Sequence, residues 1–319
     1  MKKNDYLPKI LETGANELEI IDFRMYEELE DGSVYEWVLG VNVAKVKEVI
    51  QKPEHIFKSP GSPPEVEGLA KIREEVIPIV NLQKWMKIKA PKDKENKYVI
   101  VMEFLREIIG ILVHEARRIR RIKWTDIKKP PASIDEKLGG KVVGVIEIEN
   151  GQLLLLLDFE GILDELGMIK VFHVEEEGSY KKTGQHYRIL ILDDSPVARR
   201  IIRTILEKDG HTVIEAQSGI EGLQILHELA EEAQKEGSDI TDKLQLIISD
   251  IEMPGMDGLT FTKKVKEDPV LSKIPVVINT SLSDKATVDK TKFVNADAHL
   301  VKFDTKDLLH IVHEYAIKK

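Results

Sequence analysis

Five polar residues in the second half of this 319-residue chain each follow a short apolar run. Asp193 and Asp194 follow 188–192, Asp250 follows 244–248, Thr280 follows 274–279 and Lys302 follows 298–301. One aspartate at the end of such a run is ordinarily a turn former. Three carboxylates gathered in one place are different, because they repel and raise one another's pKa unless a cation intervenes. A hard divalent ion resolves that repulsion, and Mg²⁺ favours a few carboxylates with waters and phosphate oxygens as its other ligands. Lys302 adds the positive charge that a phosphoryl group needs, and Thr280 adds a hydroxyl donor. The residue types point to phosphoryl chemistry at an acid cluster.

The elements that must bring them together are legible around them. An apolar run bounded by turn residues reads as a strand buried on both faces. Such runs occur at 188–192, 212–216, 244–250, 274–279 and 298–301. Helices are expected between them. Ser195 caps the first and Pro196 opens it, and it runs to about 208 before Gly210. Ser218 opens the second, over 221–234; the third runs from Gly258 to just before Pro269. A fourth begins near Asp284, and 306–317 forms the last. Five such βα units predict a doubly wound parallel sheet covered by helices on both faces. All five polar groups would then lie at the carboxyl edge, where open α/β sheets place their chemistry.

These residues, with the run 253–258 (MPGMDG), resemble the receiver domains of two-component response regulators such as CheY. The resemblance covers about 187–319. It implies that Asp250 is the phosphoacceptor, and that Asp193, Asp194, Asp250 and the backbone carbonyl of Glu252 serve Mg²⁺, Asp193 through water. It further implies that Thr280 and Lys302 engage the phosphoryl group and that His299 stands at the family's aromatic switch position. Two departures stand out. Phe303 follows Lys302 where the family has proline, and 230–243 lengthens the second helix or the loop after it.

The first half carries another pattern. Tyr35, Trp37, Leu39, Val41 and Val43 alternate as in a half-buried strand, and strand-like runs follow at 75–80, 97–104 and 108–114. The clearest hairpin joins 142–148 to 153–157 through Asn150-Gly151, a dipeptide suited to the positive φ angles of a type I′ turn. Segments 51–65 and 128–133 read as loops. Repeated short strands without long helices indicate an all-β sandwich or small barrels. The run 63–82, PPEVEGLAKIREEVIPIVNL, resembles the CheW family of chemotaxis coupling proteins, and 144–163 is similar to that family's last strands and terminal helix. The resemblance implies two small five-stranded barrels that bind chemoreceptors and the histidine kinase CheA, with Arg73 at the partner surface. Glu74 stands where the family has glycine, and Asn81 where it has aspartate.

The polar stretch 173–186 reads as a linker between a coupling domain, 1–172, and a receiver domain, 187–319. That order resembles the CheV chemotaxis proteins. It implies a phosphorylation-regulated adaptor, not an enzyme, with CheA as partner and phosphodonor and methyl-accepting chemoreceptors as the other partners. A phosphate sink draining CheA is the alternative. A small-molecule phosphohydrolase is disfavoured because Ile251 and Glu252 after Asp250 give no Asp-x-Asp pattern. A net charge of −9 argues against nucleic acid as a partner. No apolar run approaches the roughly 20 residues of a membrane helix. The amino terminus lacks a signal-peptide core, and zero cysteines exclude disulfides and thiol chemistry and fit a cytoplasmic setting.

Overall fold

The computed structural model describes residues 17–58, 60–104, 107–169, 184–280, 291–302 and 305–316. One compact unit spans Glu17–Ile169, and the described residues from 184 onward belong to the other. The expected linker lies outside the described residues except for 184–186, and so does the start of the helix expected near Asp284.

The first unit is built on two five-stranded sheets. Its strands are β1 (Glu17–Glu28), β2 (Val34–Asn42), β3 (Val46–Gln51), β4 (Val66–Ile72), β5 (Glu75–Asn81), β6 (Tyr98–Phe104), β7 (Glu107–Val113), β8 (Glu115–Lys123), β9 (Val142–Glu147) and β10 (Leu153–Leu157). One sheet has the order β8-β1-β2-β10-β9 and the other β3-β6-β7-β5-β4. Pairing is antiparallel except between β10 and β2 and between β5 and β7. The expected hairpin forms as read: Asn150 and Gly151 take φ of 62° and 71°, and the Gln152 amide donates to the Glu149 carbonyl at 3.4 Å. Each sheet faces its own apolar cluster, Ile20, Leu154 and Leu156 in one, Ile79, Val99 and Leu112 in the other. Short helices α1 (Leu82–Trp85), α2 (Ala132–Lys137) and α3 (Phe159–Glu165) complete the unit. α2 takes in only the last two residues of the loop expected at 128–133, and 129–131 are neither helix nor strand. The apolar side of α2 contributes only Ile134, too little for a periodic signal.

The second unit is a parallel sheet of β11 (Arg188–Leu192), β12 (Thr212–Ala216), β13 (Leu246–Ser249), β14 (Val276–Thr280) and β15 (Ala298–Val301). The order is β12-β11-β13-β14-β15. The chain crosses back between β12 and β13, so the switch point of the topology falls beside β11 and β13. Ile189, Leu190, Ile191, Ile247 and Ile248 are buried to within 1% exposure, as expected of strands covered on both faces. The helices are α4 (Pro196–Asp209), α5 (Gly219–Glu236), α6 (Ile240–Lys243), α7 (Gly258–Glu267) and α8 (Thr305–Tyr315). Ser195 and Ser218 cap α4 and α5 as the sequence indicates, each accepting from an amide three residues on. The added length at 230–243 goes both ways: α5 extends to Glu236, and Asp239 starts α6 with a reciprocal capping box through Asp242.

Candidate functional site

β11 and β13 are neighbours, so residues just past their ends meet at the switch point. The Asp250 amide donates to the Leu192 carbonyl at 2.8 Å, which fixes the third acid beside the first two. Asp193 is 1% exposed and held from several sides. Its Oδ1 accepts from the Ser195 amide at 2.9 Å, and its carbonyl accepts from Arg199 Nη1 at 2.6 Å. Asp250 Oδ1 accepts from the Ile251 amide at 2.8 Å, and the Asp250 carbonyl accepts from the Ser249 hydroxyl at 2.9 Å.

Lys302 follows β15 on the far side of β14, and its amide donates to the Thr280 carbonyl at 2.8 Å. Its Nζ lies 2.6 Å from Asp193 Oδ2 and 3.0 Å from Asp250 Oδ2. One ammonium therefore bridges two buried carboxylates. It does not balance the cluster: burial, Asp193, Asp194 and Glu252 together hold the Asp250 carboxyl well above the usual range, against the lowering pull of Lys302. One carboxylate oxygen from each of Asp193, Asp194 and Asp250 lies within 4.8 Å of the others. Octahedral Mg²⁺ with bonds of about 2.1 Å places its oxygen ligands about 3 to 4 Å apart. The three acids supply the right donor atoms at nearly the right spacing, and an uncompensated negative charge that a dication neutralises. They fit the ion.

The loop that follows Asp250 is pinned. Met253 is fully buried in the core with Phe261, and the Gly258 amide donates to the Ile251 carbonyl at 2.8 Å. A Cβ at Gly258 would stand 1.8 Å from the Asp250 carbonyl oxygen, so glycine is required for α7 to begin there. This explains the last glycine of MPGMDG by contact.

The structure thus brings Asp193, Asp194, Asp250 and Lys302 together. Thr280 is 2% exposed and is the last residue of β14, not one past it, because the ladder with β15 continues through Val301. Glu252 lies two residues beyond Asp250, partly buried. His299 lies within β15 opposite Ile278, partly buried, with an Nε2 that has no hydrogen-bond partner among the described residues. Phe303 lies outside the described residues. Ser249 and Arg199, which brace Asp250 and Asp193, were not singled out in the sequence. Nothing in their spacing distinguishes them from ordinary strand and helix residues.

Arg73 belongs to the other unit. It occupies the β4–β5 turn at φ 54°, with its side chain 77% exposed and Nη2 2.6 Å from Glu48 Oε2. It borders a pocket of about 330 Å³ that Lys47, Ile77, Val101 and Ile108 also line. Glu74 is not among the positive-φ residues, so replacing the family's glycine there needs no strained backbone.

Two family descriptions match the chain: the CheW-like domain over residues 32–167 and the response regulator receiver domain over 189–313. A coupling-type β unit and a receiver with its acid cluster therefore share one polypeptide. Among curated proteins, it is 39% identical to chemotaxis protein CheV3 of Helicobacter pylori, covering 91% of this chain and 92% of that one. It is 29% identical to CheV1 of the same organism over 94% of both chains. It is also 29% identical to the sensor histidine kinase CheAY of that organism, over 67% of this chain but 25% of the kinase. Among solved structures, the scaffolding protein TtCheW of Thermoanaerobacter tengcongensis is 22% identical with a TM-score of 0.36, covering 44% of this chain and 88% of its own. The chain belongs to the CheV family of chemotaxis proteins.

Proposed function

We propose that the CheW-like unit joins chemoreceptors to the kinase CheA, and that CheA phosphorylates the receiver on Asp250 to adjust that coupling. The domains we assign are 1–172, 173–186 as linker and 187–319. The setting is cytoplasmic, and no described helix is long and apolar enough to cross a membrane. The carrying observation is the seat of Lys302 between Asp193 and Asp250 at one sheet edge, in a chain that also carries a CheW-like unit.

Asp193, Asp194, Asp250 and the Glu252 carbonyl would hold Mg²⁺, Asp193 through water. The bound ion supplies neutralisation of the charge on the transferring phosphoryl oxygens. An Asp250 carboxylate oxygen bonds to phosphorus as the bond from phosphorus to the donor's imidazole nitrogen breaks. That ring carries a proton on its other nitrogen, keeps it, and leaves as neutral imidazole. Lys302 leaves its contact with the Asp250 carboxylate for a phosphoryl oxygen, keeping its bond to Asp193. Thr280 donates its hydroxyl to another phosphoryl oxygen. Buried charge-assisted bonds of this kind are the strong ones, which is why the ammonium and hydroxyl suffice as anchors.

The test couples two readouts on the full chain: label on Asp250 from phospho-CheA, and receptor-dependent kinase activity. Mg²⁺-dependent label that disappears in Asp250→Asn, together with a changed kinase response, is the expected result. Undiminished label in that variant would reject the residue. Normal label with no change in coupling would reject the regulatory role and leave a phosphate sink.

A further inference from the structure

A second cluster of ligating side chains lies at the opposite edge of the receiver sheet. Asp209 ends α4, Gly210 turns the chain at φ 100°, and His211 enters β12 on the other side of that turn. His313 reaches the same place from α8. Asp209 Oδ2 is 3.1 Å from His211 Nε2 and 2.8 Å from His313 Nε2. The three ligand atoms all lie within 4.8 Å of one another. Their side chains are 3%, 0% and 13% exposed. β12 runs from this edge towards the acid cluster, so its five residues at about 3.3 Å each separate the two places by roughly 15 Å.

We propose that Asp209, His211 and His313 form a binding site for a borderline divalent ion of the Zn²⁺ class, separate from the carboxylate site. Two observations carry it. Three donors, from the end of α4, the turn after it and α8, converge within 4.8 Å of one another, and zinc bonds of about 2.0–2.1 Å place ligands about 3.3 Å apart. The observed separations from Asp209 fall short of that by a few tenths of an ångström. And His211 Nε2, in a fully buried side chain, has no hydrogen-bond partner among the described residues although it faces the carboxylate. That nitrogen lies 3.1 Å from Asp209 Oδ2 without completing a hydrogen bond, whereas a metal uses it as a ligand.

The donor set selects the ion. Two imidazoles and one carboxylate suit zinc, cobalt or nickel, while Mg²⁺ prefers oxygen. A water completes four-coordination on the His313 side, where the cluster is accessible. Binding through both Nε2 atoms puts the ring protons on Nδ1. His211 then gives up a long contact, 3.4 Å from the Tyr187 amide to Nδ1. His186, the next imidazole, bonds instead to the Gly210 carbonyl and lies 3.0 Å from the Thr212 hydroxyl, so it is not counted as a ligand.

The experiment titrates the full chain with Zn²⁺ and with Co²⁺ at saturating Mg²⁺, which keeps the carboxylate site occupied. One equivalent of Zn²⁺ should bind, and Co²⁺ should give the intense visible bands of a tetrahedral nitrogen-containing site. His313→Gln, the most exposed ligand and the one least needed for folding, should lower the affinity about tenfold or more while circular dichroism stays unchanged. Asp209→Asn should do the same. Absence of stoichiometric binding overturns the proposal. So do weak octahedral cobalt bands, or an affinity unchanged in both variants.

Discussion

Asp250 carries a built-in conflict. Its carboxylate is buried among three other acids, with one ammonium to offset them, and its pKa is raised accordingly. A group whose folded pKa lies above its unfolded value costs stability once pH exceeds the unfolded value, because the folded state must hold a charge it disfavours. Asp250→Asn removes that charge and leaves Lys302 bonded to Asp193. In chelator near neutral pH this variant should melt higher than wild type, by roughly 2–5 °C, the size of about 1 kcal/mol in a unit of this length. Mg²⁺ should raise the wild-type melting temperature and move that of the variant much less. Differential scanning calorimetry on the full chain checks both, and a variant that melts lower in chelator would contradict the conflict. At this scale the sequence was informative where chemistry is carried by residue type. Asp193, Asp194, Asp250 and Lys302 could be named from the apolar runs they terminate. Ser249 and Arg199 could not, because a hydroxyl or guanidinium that bonds the backbone carbonyl of an acidic residue has no periodic signature.

Among elements, the parallel strands were the most legible. Their apolar runs are continuous, so β11 and β12 fall at the expected residues. β1 and β8 were not read, and their composition shows why. β1 buries Asp22 and Arg24 completely or nearly so, in a network with Glu36 and Arg120, which breaks the apolar alternation. β8, EARRIRRIK, is an edge strand whose charged side chains protect the open edge of its sheet. A similar limit applies to His114, buried at the end of β7 with its Nδ1 accepting from the Tyr26 amide at 3.3 Å. Burial keeps its pKa below the ordinary value, against a backbone contact at Lys94 that raises it. The unfolded state therefore binds the extra proton first, and stability should fall as pH drops below about 6.5. His114→Gln should flatten that part of the profile for the isothermal unfolding of the first unit. Gly258 makes a sharper case at the start of α7. Gly258→Ala should cost about 2–4 kcal/mol, because the clash is with backbone that positions Asp250. Urea unfolding measures the loss, and Mg²⁺ affinity should fall with it.

For the whole molecule, the question is how charge added at one sheet edge alters coupling by a different unit. A modification acts at a distance only through an element with two arrangements whose balance it shifts. Moving such a balance from one in ten to nine in ten takes about 2.6 kcal/mol, within reach of a few charge-assisted hydrogen bonds. Thr280 is placed to supply one of them. It is buried at the end of β14, beside the strand that carries His299 and is followed by Lys302. His299 offers a smaller and more polar ring than the family's aromatic residue, so its inward orientation should be less favoured and the shift modest. Thr280→Ala removes the hydroxyl and leaves the Asp193–Asp250–Lys302 cluster intact. This variant should take label on Asp250 to the wild-type extent, within about twofold, yet lose the phosphorylation-dependent change in receptor-coupled kinase activity. Both quantities must be read from the same preparation, because a variant that labels poorly would lose the response for a different reason. Full labelling with a full response would show that the Thr280 hydroxyl does not transmit the signal, and would move the trigger to Lys302, whose ammonium must leave the Asp250 carboxylate as the phosphoryl group arrives.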